Sequence, residues 1–431
     1  GRGVLSMKLS ETKVLIRDLG ILGVCIGQAI ANDVKQVMYS VPWVTAFPKP
    51  HMQYIGKGIP GITVVDSYED AKAEILKDKG IFIFPDVGMG DEQRAARAAG
   101  GRVFGSGESG ELEFDRILFK KTLKSVGLAT PVWGTVTGTD ALEALLRKEK
   151  DLWIKLNTEN RGIMETRHHE NWEKTQGWFY SLVHDLGAFC KNDVGFMWER
   201  PIPGVEFGHD VFMANGTHYQ ESLYGWELKG DGYLAVHIET EKMPIPVKKI
   251  ITAMAPVEKK YKTNGAISTE IRMGANRIPH FTDPARRFGN PPVASIMKIY
   301  KNVGKIIEAV ADGAEIKPEW NADYVAELSI EASGADCESV PIELKDKDFE
   351  HIALRAACRD QKGMFWTIPI KEVGCTIVKC VGIGNTLEEA EYDCLEAAAN
   401  FKCPGATYDK STFEALEEVM KEGKKYGLPD L

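Results

Sequence analysis

Two acids sit where paired carboxylates could hold a cation. In "AISTEIRM" (266–273) the residue types alternate, so Ser268, Glu270 and Arg272 share one face and Ile267, Thr269, Ile271 and Met273 the other. "GAN" then turns the chain, and "RIPHFTD" returns it to Asp283. Asp283 is the fourth residue of "HFTDPARRFGNPP" (280–292), which places Arg286 and Arg287 three and four residues further on, in a stretch too rich in proline for a helix. One reading is a solvated loop with an ion pair worth about 0–1 kcal/mol. The other is a site where Asp283 holds a cation and the arginines hold an anion. Two antiparallel strands carrying Glu270 and Asp283 would bring them within bridging distance, since even a diagonal cross-strand pair is only about 7–8 Å apart. Hard oxygen ligands in small number suit magnesium, which keeps waters and substrate phosphates for its other positions.

Cationic candidates lie upstream. Lys155 stands in the apolar strand "LWIKLN", between Ile154 and Leu156, where a lysine head is costly without an anionic partner. "NTENRGIMET" follows, a polar loop centred on Gly162 and suited either to a plain turn or to presenting N–H groups to phosphates. Lys120 lies on a helical segment beside Lys121 and Lys124. In "FMWERPIPGVEF" (196–207), Pro201 and Pro203 mark an extended connector, and Glu206 is able to accept hydrogen bonds from a diol; a solvated edge strand is the competing reading. "GSGESG" (105–110) matches a dinucleotide fingerprint but has no fresh strand after its helix, so it reads as an interdomain turn. No P-loop sequence occurs.

The elements that must position these residues change in texture along the chain. Strand, Gly-marked turn and helix at 13–32, a further strand–helix–strand at 61–86, and helix plus strand at 90–106 predict a parallel α/β domain over 1–115. A helix over 111–127 leads into strand-like runs at 152–157, 194–202, 205–213, 233–240 and 266–273, with helices near 170–189, 247–263 and 292–312. From 336 onward strands and helices mix again. The expected fold class is therefore α/β and α+β, with domains at 1–115, 116–335 and 336–431.

The chain has 431 residues, 44% hydrophobic and 27% charged, which suits a globular protein of two or three domains. A net charge of −9 argues against general nucleic-acid binding. No apolar run reaches the length of a membrane span. Eight cysteines without a CxxC pair fit reduced thiols, so a cytoplasmic protein is expected, with no nucleic-acid or membrane partner. Oligomeric state is not readable.

Taken in order, these segments resemble the ATP-grasp ligases, and among them the phosphoribosylamine–glycine ligase family. "VFGSGESGELEFDRILFKKTLKSVGLATP" is similar to that family's "FG…LE…K…GIPT", with Leu112 and Glu113 at the "LE" positions and Lys120 at the first nucleotide lysine. "LWIKLNTENRGIMET" resembles the second lysine strand and its phosphate-covering loop, with Lys155 and Gly162 as the matching residues. "ERPIPGVEF" resembles the hinge, which implies that Glu199, Arg200, Pro201 and Ile202 line the adenine and Glu206 meets the ribose. Glu227 and Lys229 in "YGWELKGDG" fall near the family's triphosphate lysine, and "RRFGNPP" resembles "NxRFGDPE".

The resemblance implies an ATP-grasp fold with a parallel amino-terminal domain, a mobile lid at about 130–195 and a carboxy-terminal α+β domain. It implies ATP and magnesium (manganese being the alternative ion) held by Glu270 and Asp283. Arg272 and Arg287 would hold the substrate anion, and Lys229 would neutralise charge near the triphosphate. The implied reaction is a carboxylate–amine ligation through an acyl phosphate, with small-molecule carboxylate and amine substrates, as in purine biosynthesis. Departures occur at Asp283 for a Glu, Ala285 for the Asn, and Asn290 and Pro292 for the Asp and Glu of "GDPE". The family's amino-terminal "GSGGREHA" is replaced by "DLGILGVCIG". Two alternatives stay open: a ligase for a different carboxylate and amine, and a degenerate nucleotide-binding protein without the ligase step.

Overall fold

The computed structural model describes residues 7–42, 50–156 and 166–431. The short, apolar strands near the amino terminus read as buried on both faces, and they form a parallel sheet. β1 (Lys13–Arg17), β2 (Gln36–Ser40), β3 (Ile62–Val64), β4 (Ile81–Ile83) and β5 (Arg102–Phe104) lie in the order β3-β2-β1-β4-β5. The crossovers include α1 (Gly23–Ile30), α2 (Tyr68–Lys77) and α3 (Gly90–Ala98). Ser67 caps α2 by accepting from the Asp70 amide.

The single helix expected over 111–127 is instead two, α4 (Glu111–Phe114) and α5 (Arg116–Ser125). Asp115 breaks the run because its carboxylate accepts from the Leu118 amide at 2.8 Å and starts a new helix. Next comes a small antiparallel sheet in the order β6-β9-β7-β8: β6 (Trp133–Thr137), β7 (Leu152–Leu156), β8 (Thr166–His169) and β9 (Gly195–Glu199). With α6 (Thr139–Lys148) and α7 (Trp172–Cys190) it encloses a core of its own, including Leu142, Leu146, Ile154, Phe179 and Phe196. β7 alternates Leu152, Ile154 and Leu156 inward, which sends Lys155 to the opposite face.

The main sheet is antiparallel. β10 (Val205–Ala214), the short β11 (Thr217–His218), β12 (Glu221–Leu228), β13 (Gly232–Glu239), β14 (Gly265–Met273), β15 (His280–Ala285) and β16 (Tyr324–Ala332) run in the order β15-β14-β10-β12-β13-β16, with β11 paired to β10. The sheet continues from β16 through strands Thr376–Gly384 and Ile352–Leu354. α8 (Ile245–Tyr261), α9 (Val293–Ile299) and α10 (Val303–Ala311) precede two carboxy-terminal helices, α11 (Leu387–Asn400) and α12 (Thr412–Lys425). The helix expected at 292–312 is divided, because Tyr300 leaves the helix to bridge with Trp320. Pro284 is tolerated within β15 because that strand is an edge. Among the described residues no helix is long and apolar enough to cross a membrane.

Candidate active site

Lys120 and Lys155 reach the site from different elements and meet on one carboxylate. Lys120, on α5, is 3% exposed, and its Nζ lies 2.7 Å from Glu199 Oε2. Lys155, on β7, donates to Glu199 Oε1 at 2.6 Å. Burial pushes the Lys120 ammonium down, and Glu199 only partly offsets it. Burial would raise the Glu199 carboxyl, but Lys155 and Lys120 outweigh it and hold the group below its ordinary value. One acid thus answers two cations, which leaves the cluster short of negative charge. Beyond Glu199 the chain runs without regular structure through Arg200, Pro201 and Ile202. The Arg200 side chain turns away to Glu149 and to the Lys150 carbonyl. Gly162 and the loop 157–165 lie outside the described residues.

At the other end acids are in excess. β14 and β15 pair so that Glu270 stands directly opposite Asp283. The register slips between Glu270 and Ile271, whose partner is Phe281, so β15 carries one extra residue, Thr282. Without that bulge Thr282 would face Glu270. With it, the Thr282 hydroxyl donates to the Glu270 carbonyl at 3.1 Å and the two carboxylates share a face. Glu206, on β10, is cross-strand partner to Arg272 on β14, with a closest contact of 3.8 Å. Lys229, just past β12, lies 3.1 Å from Glu270 and 3.6 Å from Glu206. Burial first and Asp283 second push the Glu270 carboxyl up to about 8. Burial likewise raises Glu227 to about 7, against the pull of Lys229. Burial works against the Lys229 charge, yet Glu270 and Glu206 prevail and raise it.

Among the described residues no trio of His, Cys, Asp and Glu converges as a metal cage. A facing pair of carboxylates, with waters and substrate oxygens for its other positions, is nevertheless a donor set magnesium accepts. A cation there would offset both the burial of the Glu270 charge and the repulsion from Asp283, so Glu270 and Asp283 fit the ion.

The "RRFG" turn is fixed from beneath. Glu113 accepts from the Arg286 amide at 2.7 Å and from Arg287 Nε at 3.0 Å, and Asp86 lies 3.6 Å from Arg287. Burial opposes the Arg287 charge, but Glu113 and Asp86 raise it. Arg286 is 1% exposed, and its Nη1 donates to both carboxylate oxygens of Glu258 at 2.7 and 2.8 Å. The two adjacent arginines therefore differ: Arg286 holds the sheet to α8, and Arg287, partly open, faces the seam between β4 and β15.

Sequence reasoning missed Asp86 and Asp18. Asp18 follows β1, accepts from the Gly23 amide and the Tyr39 hydroxyl at 2.8 Å each, and is fully buried. Both acids sit just past the carboxyl ends of parallel strands, where open α/β sheets place their ligands. That position was the available signal.

No family model matches the chain, and no curated protein matches it in sequence. Solved structures do match. Phosphoribosylamine–glycine ligase from Thermotoga maritima is 18% identical, with 92% of this chain and 99% of that one covered at a TM-score of 0.69. The biotin carboxylase domain of 2-oxoglutarate carboxylase from Hydrogenobacter thermophilus, solved with MgADP and bicarbonate, is 12% identical, with 97% and 99% covered at 0.64. N5-carboxyaminoimidazole synthetase from Staphylococcus aureus, complexed with ADP, is 12% identical, with 91% and 98% covered at 0.59. Over nearly its whole length, this chain has the ATP-grasp fold, in a form whose sequence has diverged far from these ligases.

Proposed function

We propose that the chain is an ATP-dependent carboxylate–amine ligase, similar in chemistry to phosphoribosylamine–glycine ligase. The observation that carries this reading is the polarity of the site: two lysines share one acid at one end, and a facing acid pair stands at the other. A triphosphate suits the first and its divalent counterion the second. Lys120 and Lys155 would bind ATP phosphates, with the loop around Gly162 covering them. The backbone at Glu199, Arg200, Pro201 and Ile202 would line the adenine, and Glu206 the ribose. Glu227 and Lys229 would stand near the γ-phosphate, and Glu270 and Asp283 would hold magnesium.

In the reaction, a substrate carboxylate oxygen attacks the γ-phosphorus and the bond to the β-phosphate oxygen breaks, giving an acyl phosphate and ADP. An amine nitrogen then attacks the acyl carbon, phosphate leaves, and the amine proton passes to solvent. The main obstacle is the approach of two anions, which at 4 Å repel by roughly 4 kcal/mol at an effective dielectric near 20. Lys229, Arg272 and Arg287 would offset that repulsion, the arginines by gripping the carboxylate through paired N–H groups. When bound, magnesium supplies charge neutralisation at the phosphates. The division at 115 and 335, closure of residues 130–195 over the nucleotide and a cytoplasmic setting belong to the same proposal.

The test is ADP release from ATP and magnesium with phosphoribosylamine plus glycine, against a panel of other amino acids. Release that requires both a carboxylate and an amine supports the ligase, and the productive pair names the substrates. A second reading, nucleotide binding without ligation, draws on Ala285 and Asn290 at positions where the resembled family has Asn and Asp. ATP binding with no ADP release under any pair would favour it.

A further inference from the structure

Between α3, the end of α8 and the turn after α10 lies a cavity of about 620 Å³ that shares no residue with the site above. Its walls bring Arg94, Arg97, Lys260 and Lys262 together with two acids, Glu108 and Asp312. Both acids already face arginines: Asp312 lies 2.6 Å from Arg102, and Glu108 lies 3.9 Å from Arg94, which also pairs with Asp91. Arg97, Lys260 and Lys262 have no ion-pair partner among the described residues. The Arg97 guanidinium is held by the Gly105 and Val103 carbonyls at 2.8 and 3.4 Å and by Gln93, and burial depresses its ionisation with no carboxylate to oppose the effect.

Two further features keep that guanidinium open to a ligand. Gly107 (φ 63°) lies against it, and a Cβ there would come within 3.0 Å of Arg97 Nη1. Gly90, the first residue of α3, also lines the cavity, and the residue before it, Met89, offers no side-chain cap, so first-turn N–H groups border the space. In a chain of net charge −9, three unpaired cations around one cavity make a local reversal of sign. Of the three, Arg97 is partly removed from water, where a charge is unfavourable unless an anion answers it; Lys260 and Lys262 stand exposed at the rim.

We propose that this cavity binds a phosphorylated small molecule, its phosphate taken by Arg97, Lys260 and Lys262. A planar fork beside two ammonium groups and an uncapped helix start is donor chemistry for phosphate oxygens. The volume lies in the range of small-molecule sites, roughly 300–1,000 Å³. The cavity also straddles a joint: Asn264 donates to the Val103 carbonyl at 3.1 Å and accepts from the Asn215 amide at 3.0 Å, tying β5 of the parallel sheet to the main sheet. An occupant therefore braces the two sheets against each other. The proposal is independent of the ligase reading.

Calorimetric titration of the full chain with inorganic pyrophosphate tests it, using wild type, the double variant Lys260→Glu/Lys262→Glu, and Lys155→Met. Both lysines are exposed, so the double variant keeps its core. Saturable binding is expected in wild type and Lys155→Met, with at least a tenfold loss in the double variant. Arg97→Lys, which keeps the charge but loses the fork, is expected to fall between. Ribose 5-phosphate in place of pyrophosphate shows whether a sugar phosphate is preferred. Wild-type affinity in the double variant, absence of binding in wild type, or loss of binding in Lys155→Met alone would overturn the proposal; the last would place the anion at the ATP lysines.

Discussion

Two clusters of charge, one around Glu199 and one around Glu270, solve opposite electrostatic problems. At Glu199, two lysines share one carboxylate, and the pairing leaves Glu199 ionised and Lys120 destabilised as a cation. At Glu270, several acids crowd around Lys229, and Glu270 is pushed up to about 8 despite that lysine. Each end is partly satisfied from within, so the apo protein tolerates both. The lysine cluster has one carboxylate for two ammonium groups, and the acid cluster has one lysine for two carboxylates. Under the proposed function, a nucleotide triphosphate with its divalent ion would answer both.

The largest effect that would break this comparison is at the acid end. Asp283→Asn is expected to lower ATP turnover on the order of 100-fold or more, with circular dichroism unchanged. Turnover at the wild-type rate would remove the metal role from Asp283. At the lysine end, Lys155→Met is expected to weaken ATP binding by about 10–100-fold in calorimetry, the equivalent of one charge-assisted hydrogen bond. Lys120→Met sharpens the contrast, because methionine fills the buried position without a charge that burial disfavours, while Lys155 still answers Glu199. ATP binding is expected to weaken while the melting temperature holds or rises, whereas that of Lys155→Met stays near wild type.

A smaller effect follows from the acid pair's protonation. Because Glu270 holds its proton until about pH 8, a divalent ion binding there must displace it. Magnesium affinity is expected to rise with pH, by at most about tenfold per unit, and to level off above 8. Glu270→Gln should flatten that slope; an unchanged slope would assign the proton elsewhere.

The smallest effect concerns stability without ligand. Glu270 has a folded value raised from an ordinary 4.5, so its contribution is fully present below that value and is lost as pH rises through about 8. The melting temperature of Glu270→Gln relative to wild type is thus expected to improve from pH 5 to pH 9. A constant difference across that range would mean that Glu270 is not held protonated in the folded state.

Much of the fold was legible because its signals are local. The parallel sheet could be read from short apolar strands alternating with helices, and Lys155 from its place among apolar neighbours on β7. The helix breaks at Asp115 and Tyr300 were not legible: one depends on a side chain choosing to cap, the other on a bridge to Trp320. Glu199 was read as an adenine-lining residue, and its carboxylate as the shared partner of both lysines went unseen, since α5, β7 and β9 are brought together only by folding.

Sequence alone settled which face Glu270 occupies, because alternation along a strand is fixed by backbone geometry with a period of two. It also set the residue types that make one end cationic and the other acidic. Only the tertiary structure decided that Asp283 faces Glu270, because a single extra residue at Thr282 shifts the register and exchanges a hydroxyl for a carboxylate. Such a slip depends on which strand pairing buries the neighbouring apolar residues best, and that energy is shared across the whole sheet.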